Sequence, residues 1–306
     1  DLSSITADMV AYYADQKQVD KIEQFLSTLR SRTAEFPANI TFQVRMMAGL
    51  SNAVKAYGEA MQLQPMEQSL NSAREIALKF PEEVQIQKLL AMNLANSIRF
   101  YRLNNEGLKA GHLIRELDKI ATHFPNDAEI AWFLATALTQ MLTLTANSAD
   151  EPYQRLRYLS SRFPDNDHVQ AEFIGGMVNR CINLYSTKDK RVFDEFEEYS
   201  KQSLVIGDHF PTNAHLQFAV AKMIGVSITL YAALRRTEKL ELTMNTLGVV
   251  VARFPNSPEI QSEFVLAGAN SMRALLSVDK PNQAKKHLTA IKDVAARFPN
   301  QREMQN

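Results

Sequence analysis

Apolar residues recur along this chain at intervals of four and three residues, and the whole pattern returns about every 44 residues. Counted from the proline of each of seven Phe-Pro pairs, positions +5, +9, +13 and +17 are almost always apolar, as in Phe42, Met46, Leu50 and Val54. Such intervals place side chains on one face of an α-helix. The pattern therefore predicts a helix of about 20 residues, helix A, after each pair.

The Phe-Pro pairs separate these helices from a second set. Successive pairs lie 44 residues apart in four of the six intervals, and 39 or 47 apart in the other two. The residue before Phe is mostly basic or His, which suits a last helical turn, and the residues after Pro are polar, which suits an N-cap. Three further prolines mark the turn from helix A to helix B: Pro65, Pro152 and Pro281.

A fixed period of this length predicts stacked helix pairs. The expected fold is all-α, a right-handed superhelical solenoid of antiparallel helix pairs in a single domain, 1–306. It would hold about six full repeats and a partial unit at each end. The predicted units are 1–36 (partial), 37–80, 81–124, 125–163, 164–210, 211–254, 255–298 and 299–306 (partial).

The end of helix B carries a resemblance to a known family. The segments Val251-Ala252-Arg253-Phe254-Pro255 and Ala295-Ala296-Arg297-Phe298-Pro299 resemble the Ala-rich turn and Pro of tetratricopeptide repeats, and small residues such as Ala91 and Ala135 lie within helix A. That family has units of about 34 residues, shorter than these. The resemblance implies an αα solenoid, in which an Asn ladder on the inner helix can hold an extended chain.

Composition narrows the class of protein further. The chain has 34 Lys+Arg, 34 Asp+Glu and one Cys. Zero net charge predicts no nucleic-acid partner, and a single Cys suits a reducing, cytoplasmic location. Uninterrupted apolar runs are far shorter than a membrane span, so no membrane association is predicted. Phosphate-loop, zinc-protease and nucleophile-elbow motifs are missing from the sequence, which predicts neither an enzyme nor a cofactor.

The His and Cys side chains are the candidate metal ligands and nucleophiles of this sequence. His168 and His215 both lie at +4 of adjacent units, but stacked helices are about 10 Å apart, whereas metal ligands lie about 2 Å from the ion. No metal site is therefore predicted. Cys181 occupies the apolar +17 position, where we expect a buried, unreactive thiol.

The candidate binding surface is a repeated carboxamide at +15, with a cation or hydroxyl often one turn later at +18. At 100° per residue, +15 falls on the exposed side of helix A. An amide both donates and accepts hydrogen bonds, as does a peptide backbone. Alternatively, these residues bond adjacent helices A to one another. The predicted partner-binding residues are Asn52, Lys55, Asn96, Arg99, Gln140, Asn179, Asn270 and Arg273.

Two other features of the repeats also need an interpretation. A Gln recurs at +6 (Gln43, Gln87, Gln170, Gln217 and Gln261) and is interpreted as packing between units. The 164–210 unit is the longest and carries KDKR (188–191) and DEFEEY (194–199). Such charges are usually paired with one another on a solvated face, although an insertion is also a possible docking point.

The leading hypothesis is a non-catalytic scaffold that binds a partner polypeptide along the helix A surface. The alternative is a sensor or regulatory repeat region of a larger protein, such as a multidomain signalling NTPase or another enzyme. The mid-unit start and end of the sequence motivate that alternative, with further domains of the same polypeptide as partners.

Overall fold

A computed structural model describes residues 2–16, 18–143 and 150–301. Every regular element in those ranges is an α-helix, which confirms the all-α prediction. Most of the predicted 299–306 segment lies outside them. The helices are α1 (Leu2–Asp15), α2 (Val19–Glu35), α3 (Ile40–Glu59), α4 (Leu63–Lys79), α5 (Val84–Leu103), α6 (Gly107–His123), α7 (Ala128–Met141), α8 (Asp150–Arg162), α9 (Asp167–Ser186), α10 (Arg191–His209), α11 (Ala214–Ala233), α12 (Thr237–Arg253), α13 (Pro258–Ser277) and α14 (Pro281–Ala295).

The chain divides into two compact units, residues 1–144 and 145–306, here unit 1 and unit 2. The division falls inside the repeat predicted at 125–163. Each unit is described by itself. The predictions of a single continuous domain and of a right-handed superhelix are not tested by the two units.

The helices of each unit form two layers. In unit 1, α1, α3, α5 and α7 pack side by side as helices A, and α2, α4 and α6 each pack between their own helix A and the next one. In unit 2, α9, α11 and α13 form the helix A layer, and α8, α10, α12 and α14 are helices B. This arrangement buries one face of each helix A between the layers.

The core follows the predicted apolar stripe. Leu50, Val54, Ile98 and Ile228 are completely buried, and the exceptions at these offsets are half-buried near the edges of the units. Burying a side chain of this size stabilises the fold by about 1.5–3 kcal/mol. The stripe on helix A is therefore the main source of packing energy in both units.

The polar residues after each Phe-Pro pair cap helix A. Five of them, each two residues after the proline, accept a hydrogen bond from a backbone N–H in the first turn, while Glu83 makes no side-chain cap. These side chains satisfy donors that a helix start leaves without partners. The five caps are Asn39, Asp127, Asn166, Asn213 and Ser257.

The turn from helix A to helix B uses a left-handed residue rather than a proline. Gln62 donates its N–H to the carbonyl of Tyr57 at 2.8 Å, and Met61 between them has φ 58°. This is the Schellman arrangement, usually built with Gly. The predicted turn prolines instead lie in the first turn of helix B. The left-handed residues are Met61, Asn105, Lys188, Arg235 and Asp279.

Candidate binding surface

The +15 positions lie between neighbouring helices A and are half-buried, so the prediction that they are exposed is wrong for all of them. Within each unit, neighbouring helices A pack against one another and cover part of the face opposite helix B. The +18 positions, one turn later, are exposed. The half-buried +15 residues are Asn52, Asn96, Gln140, Asn179, Val226 and Asn270. The exposed +18 residues include Lys55, Arg99 and Arg273. The predicted residues of both sets are called the ladder below.

In unit 1, Lys55 contacts a neighbouring helix, whereas Arg99 lies against a ring of its own helix, α5. Lys55 Nζ lies 3.7 Å from Asp15 Oδ1 at the end of α1, and the Arg99 guanidinium lies 5.7 Å from the ring centre of Phe100. Gln140 Oε1 on α7 is buried and has no hydrogen-bond partner within the described ranges. Lys55 is thus partly neutralised by its own chain.

In unit 2 the ladder borders a cavity that spans three helices. The cavity has a volume of about 270 Å³ and is bounded by Asn179 on α9, Val226 on α11 and Asn270 on α13. Asn270 Nδ2 donates to Thr229 Oγ1 at 3.2 Å, which joins α13 to α11. The structure thus brings two predicted carboxamides to one opening, while Arg273 is exposed on α13 and does not line it.

The walls of this cavity are apolar and open to solvent. Ile182 and Leu266 are 50% and 59% exposed, although both are large aliphatic side chains. Gly225 and Val226 form the floor on α11. Concave apolar sites with a few convergent polar groups are the usual form of a ligand site.

Two charged residues border this cavity that sequence reasoning did not select. Lys222 and Glu263 also line an adjoining cavity of about 430 Å³. Burial raises the pKa of the Glu263 carboxyl, and the nearby Lys222 charge opposes that rise only in part. Lys222 Nζ lies 4.6 Å from the ring centre of Phe218. Lys222 occupies +11, where the other repeats carry unrelated residue types, and Glu263 occupies +8, where Glu172 is the only other Glu, so no signal repeated along the chain marked them.

The conserved spacing of Gln at +6 has a structural cause. The side-chain amide of Gln217 donates to the carbonyl oxygens of Gly207 and Phe210, at 2.7 and 3.1 Å, where α10 ends. Gln87, Gln170 and Gln261 make the same pair of bonds to the preceding helix B. The packing interpretation is therefore confirmed for these four, because each joins one repeat to the end of the previous one, while Gln43 donates to the carbonyl of Pro37.

The long 164–210 unit contains a buried ion network. Arg180 Nε and Nη2 donate to Glu195 at 2.6 and 3.0 Å, Nη1 donates to Asp150, and the guanidinium lies 4.9 Å from the Tyr153 ring centre. Burial opposes ionisation of Glu195, but hydrogen bonds from Arg180 and Tyr199 hold the pKa of its carboxyl below the ordinary value. Within these two segments, Asp189 pairs with Arg191 and Glu195 pairs with Arg180, whereas Glu197 pairs with Arg236 of the next repeat.

The histidines and the cysteine show no chemistry of their own. The His168 and His215 rings lie 6.1 Å apart between their centres, and the described residues contain no cluster of three or more potential metal ligands. Burial raises the pKa of the Cys181 thiol to about 12. Cys181 is therefore buried and unreactive at neutral pH, as predicted.

No protein-family model and no curated protein matches the chain. Among solved structures, it is similar to a monomeric mutant of IFIT1 determined with m7Gppp-AAAA, the cap being in the anti conformation. The TM-score is 0.32 at 12% identity, and the match covers 98% of this chain and 73% of that one.

This comparison contradicts the prediction that no nucleic acid is a partner, because the similar protein was solved with a capped oligonucleotide. The prediction was wrong because it rested on net charge. A total of zero describes the whole chain and leaves the charge of any one face undetermined.

Among the described residues, one helix is long enough and apolar enough to cross a membrane, judged by its length and composition only. It is α11, Ala214–Ala233, at the centre of the helix A layer of unit 2. More than half of that stretch is buried within the unit, as is usual for a core helix.

Proposed function

We propose that the protein is a non-catalytic interaction scaffold, and that the helix A surface of unit 2 binds an extended polypeptide segment. The observation that carries the proposal is the 270 Å³ cavity over α11, bordered by Asn179 on one side and Asn270 on the other. No reaction is part of the proposal. The cytoplasmic location and the superhelical stacking of the repeats are proposed with it.

The chemistry of the cavity suits a peptide better than a rigid small molecule. The two carboxamides each offer donors and an acceptor, which match the alternating groups of a peptide backbone. The apolar walls at Ile182 and Leu266 offer a place for an aliphatic side chain. Backbone bonds with side-chain pockets are the general basis of extended-peptide recognition.

The spacing of the helices sets the length of the segment. Adjacent helices pack about 8–10 Å apart, and an extended chain advances about 3.3 Å per residue. A segment that crosses from α9 to α13 therefore needs about six residues. The corresponding surface of unit 1 carries the other ladder residues, which are Asn52, Lys55, Asn96, Arg99 and Gln140. In unit 2, the surface that contains the 270 Å³ cavity from α9 to α13 is called the groove, and Arg273 lies on its α13 side.

Selection from a display library of random seven-residue peptides tests this proposal. The full chain is the target, and Asn179→Ala/Asn270→Ala is compared with it. The control, Gln154→Ala/Gln202→Ala, removes two amides from the α8–α10 side of the same unit. We expect enriched peptides to bind the Asn double variant about tenfold more weakly or worse, and the control as wild type. No enrichment, or equal binding to all three proteins, contradicts the proposal.

A further inference from the structure

Glu263 is a half-buried carboxylate at the junction of two cavities. It projects from α13 against the neighbouring helix, since a Cβ placed on Gly225 of α11 would lie 3.5 Å from Glu263 Oε2. The carboxylate lines both the 270 Å³ cavity and the 430 Å³ cavity. A ligand in either cavity can therefore reach it.

Within the described ranges, the Glu263 side chain makes neither a hydrogen bond nor an ion pair. The charge of Lys222 acts on Glu263, but the Lys222 ammonium lies over the Phe218 ring. Burial is the largest cause of the raised pKa of Glu263, so the carboxylate has lost part of its hydration, and no donor in the described ranges has replaced that water. A carboxylate in that position is left without compensation for lost hydration.

The surroundings decide which ligand supplies the missing donors. Leu266, one turn along α13, and Ile182 across the groove expose aliphatic surface beside the carboxylate. A ligand that satisfies both features carries a cation next to an apolar group. In an extended peptide, alternate side chains share one face, so that combination is a Lys or Arg two residues away from an aliphatic residue.

We infer that Glu263 is a specificity residue of the groove, and that the bound segment carries a Lys or Arg whose side-chain cation ends at Glu263, beside an aliphatic side chain in the 270 Å³ cavity. This inference rests on the proposed function. A charge-assisted hydrogen bond in a partly desolvated site favours the cation, whereas an acidic residue at the same place meets like charge. The carboxylate therefore selects as well as binds.

Three synthetic peptides test the inference by isothermal titration calorimetry on the full chain. They are acetyl-Ser-Ala-Leu-Ala-Lys-Ser-Gly-amide and the versions with Gln or Glu in place of Lys. We expect the Lys peptide to bind about tenfold more tightly than the Gln peptide, and the Glu peptide to bind weakest. In Glu263→Gln the preference for Lys should fall to less than about twofold.

Glu259→Gln is the matched control, because Glu259 lies on the same helix, lines the 430 Å³ cavity and is exposed. The Lys preference should persist in that variant. If all three peptides bind wild type equally, the inference is overturned while peptide binding stands. If none binds, the proposed function is overturned, and the inference with it.

Discussion

The side-chain amide of Gln217 on α11 donates to the carbonyl oxygen of Gly207, 2.7 Å away in the last turn of α10. A second bond joins the same amide to the Phe210 carbonyl. The bonds close the end of one helix pair onto the start of the next. Since Gln217 is 1% exposed, water cannot replace the amide without a rearrangement.

Replacing Gln217 with Ala should therefore lower the free energy of unfolding by about 1–3 kcal/mol, because one buried and one half-buried carbonyl oxygen each lose one of their two donors. Urea unfolding followed by circular dichroism measures this loss. Gln154→Ala, at an exposed site on α8, should change stability by less than about 0.5 kcal/mol. Equal effects of the two substitutions would show that the Gln217 bonds contribute nothing to stability.

Arg180→Ala should cost more, about 3 kcal/mol, since it leaves Glu195 largely buried without its main partner. The Arg180 side chain is 6% exposed and that of Glu195 is 24% exposed. Arg191→Ala is the comparison, because Arg191 also pairs with Asp150 but is 53% exposed, and exposed pairs contribute about 1 kcal/mol or less. Thermal denaturation of both variants measures which one loses more stability. A larger loss in Arg191→Ala than in Arg180→Ala would contradict the prediction.

The stability of unit 2 should depend on the protonation of His215. Partial desolvation and the neighbouring His168 lower the pKa of His215 below its ordinary value of 6.5. The unfolded chain therefore binds this proton more readily than the folded one. The contribution of neutral His215 is complete above pH 6.5 and is lost as pH falls from 6.5 through the folded pKa.

The measurement is the difference in unfolding free energy between wild type and His215→Gln from pH 7.5 to 5. The advantage of wild type should shrink on acidification, but by much less than the limit of about 1.4 kcal/mol per pH unit, because His215 is exposed and solvent screens its interactions. A difference that stays constant, or grows at low pH, would refute the assignment.

The carboxamide ladder should contribute little to folding. The Asn270 bond to Thr229 is exposed, so the Asn179→Ala/Asn270→Ala variant should lose less than about 2 kcal/mol. This loss is measured by the same urea unfolding. A loss above about 3 kcal/mol would make the ladder a structural element, the alternative that the sequence left open.

The regular parts of this fold were predictable because each depends on local chemistry. Phe-Pro pairs end helices, capping residues such as Asn213 begin them, and the apolar stripe becomes the core. The turns from helix A to helix B were not, because residues such as Met61 and Lys188 adopt the left-handed conformation where Gly would normally signal it. The division into two units at 144 also carried no signal in the repeat.

The candidate site was predicted only in part, for a related reason. Asn179 and Asn270 belong to a repeated position and were therefore visible. Lys222 and Glu263 occupy offsets that vary between repeats, and only the packing of α11 against α13 brings them to one groove. Half-burial of the ladder likewise depends on neighbouring helices A, which helical periodicity within one segment does not describe.

Gly225 offers the most direct measurement of peptide binding in the groove, because it lies on the floor of the 270 Å³ cavity. In amide nuclear magnetic resonance spectra of the full chain, titration with acetyl-Ser-Ala-Leu-Ala-Lys-Ser-Gly-amide should shift the Gly225 resonance. The Gly248 resonance from α12 should stay in place. A peptide that binds but shifts Gly248 while leaving Gly225 unchanged would contradict the account, as would the absence of any shift at saturating peptide.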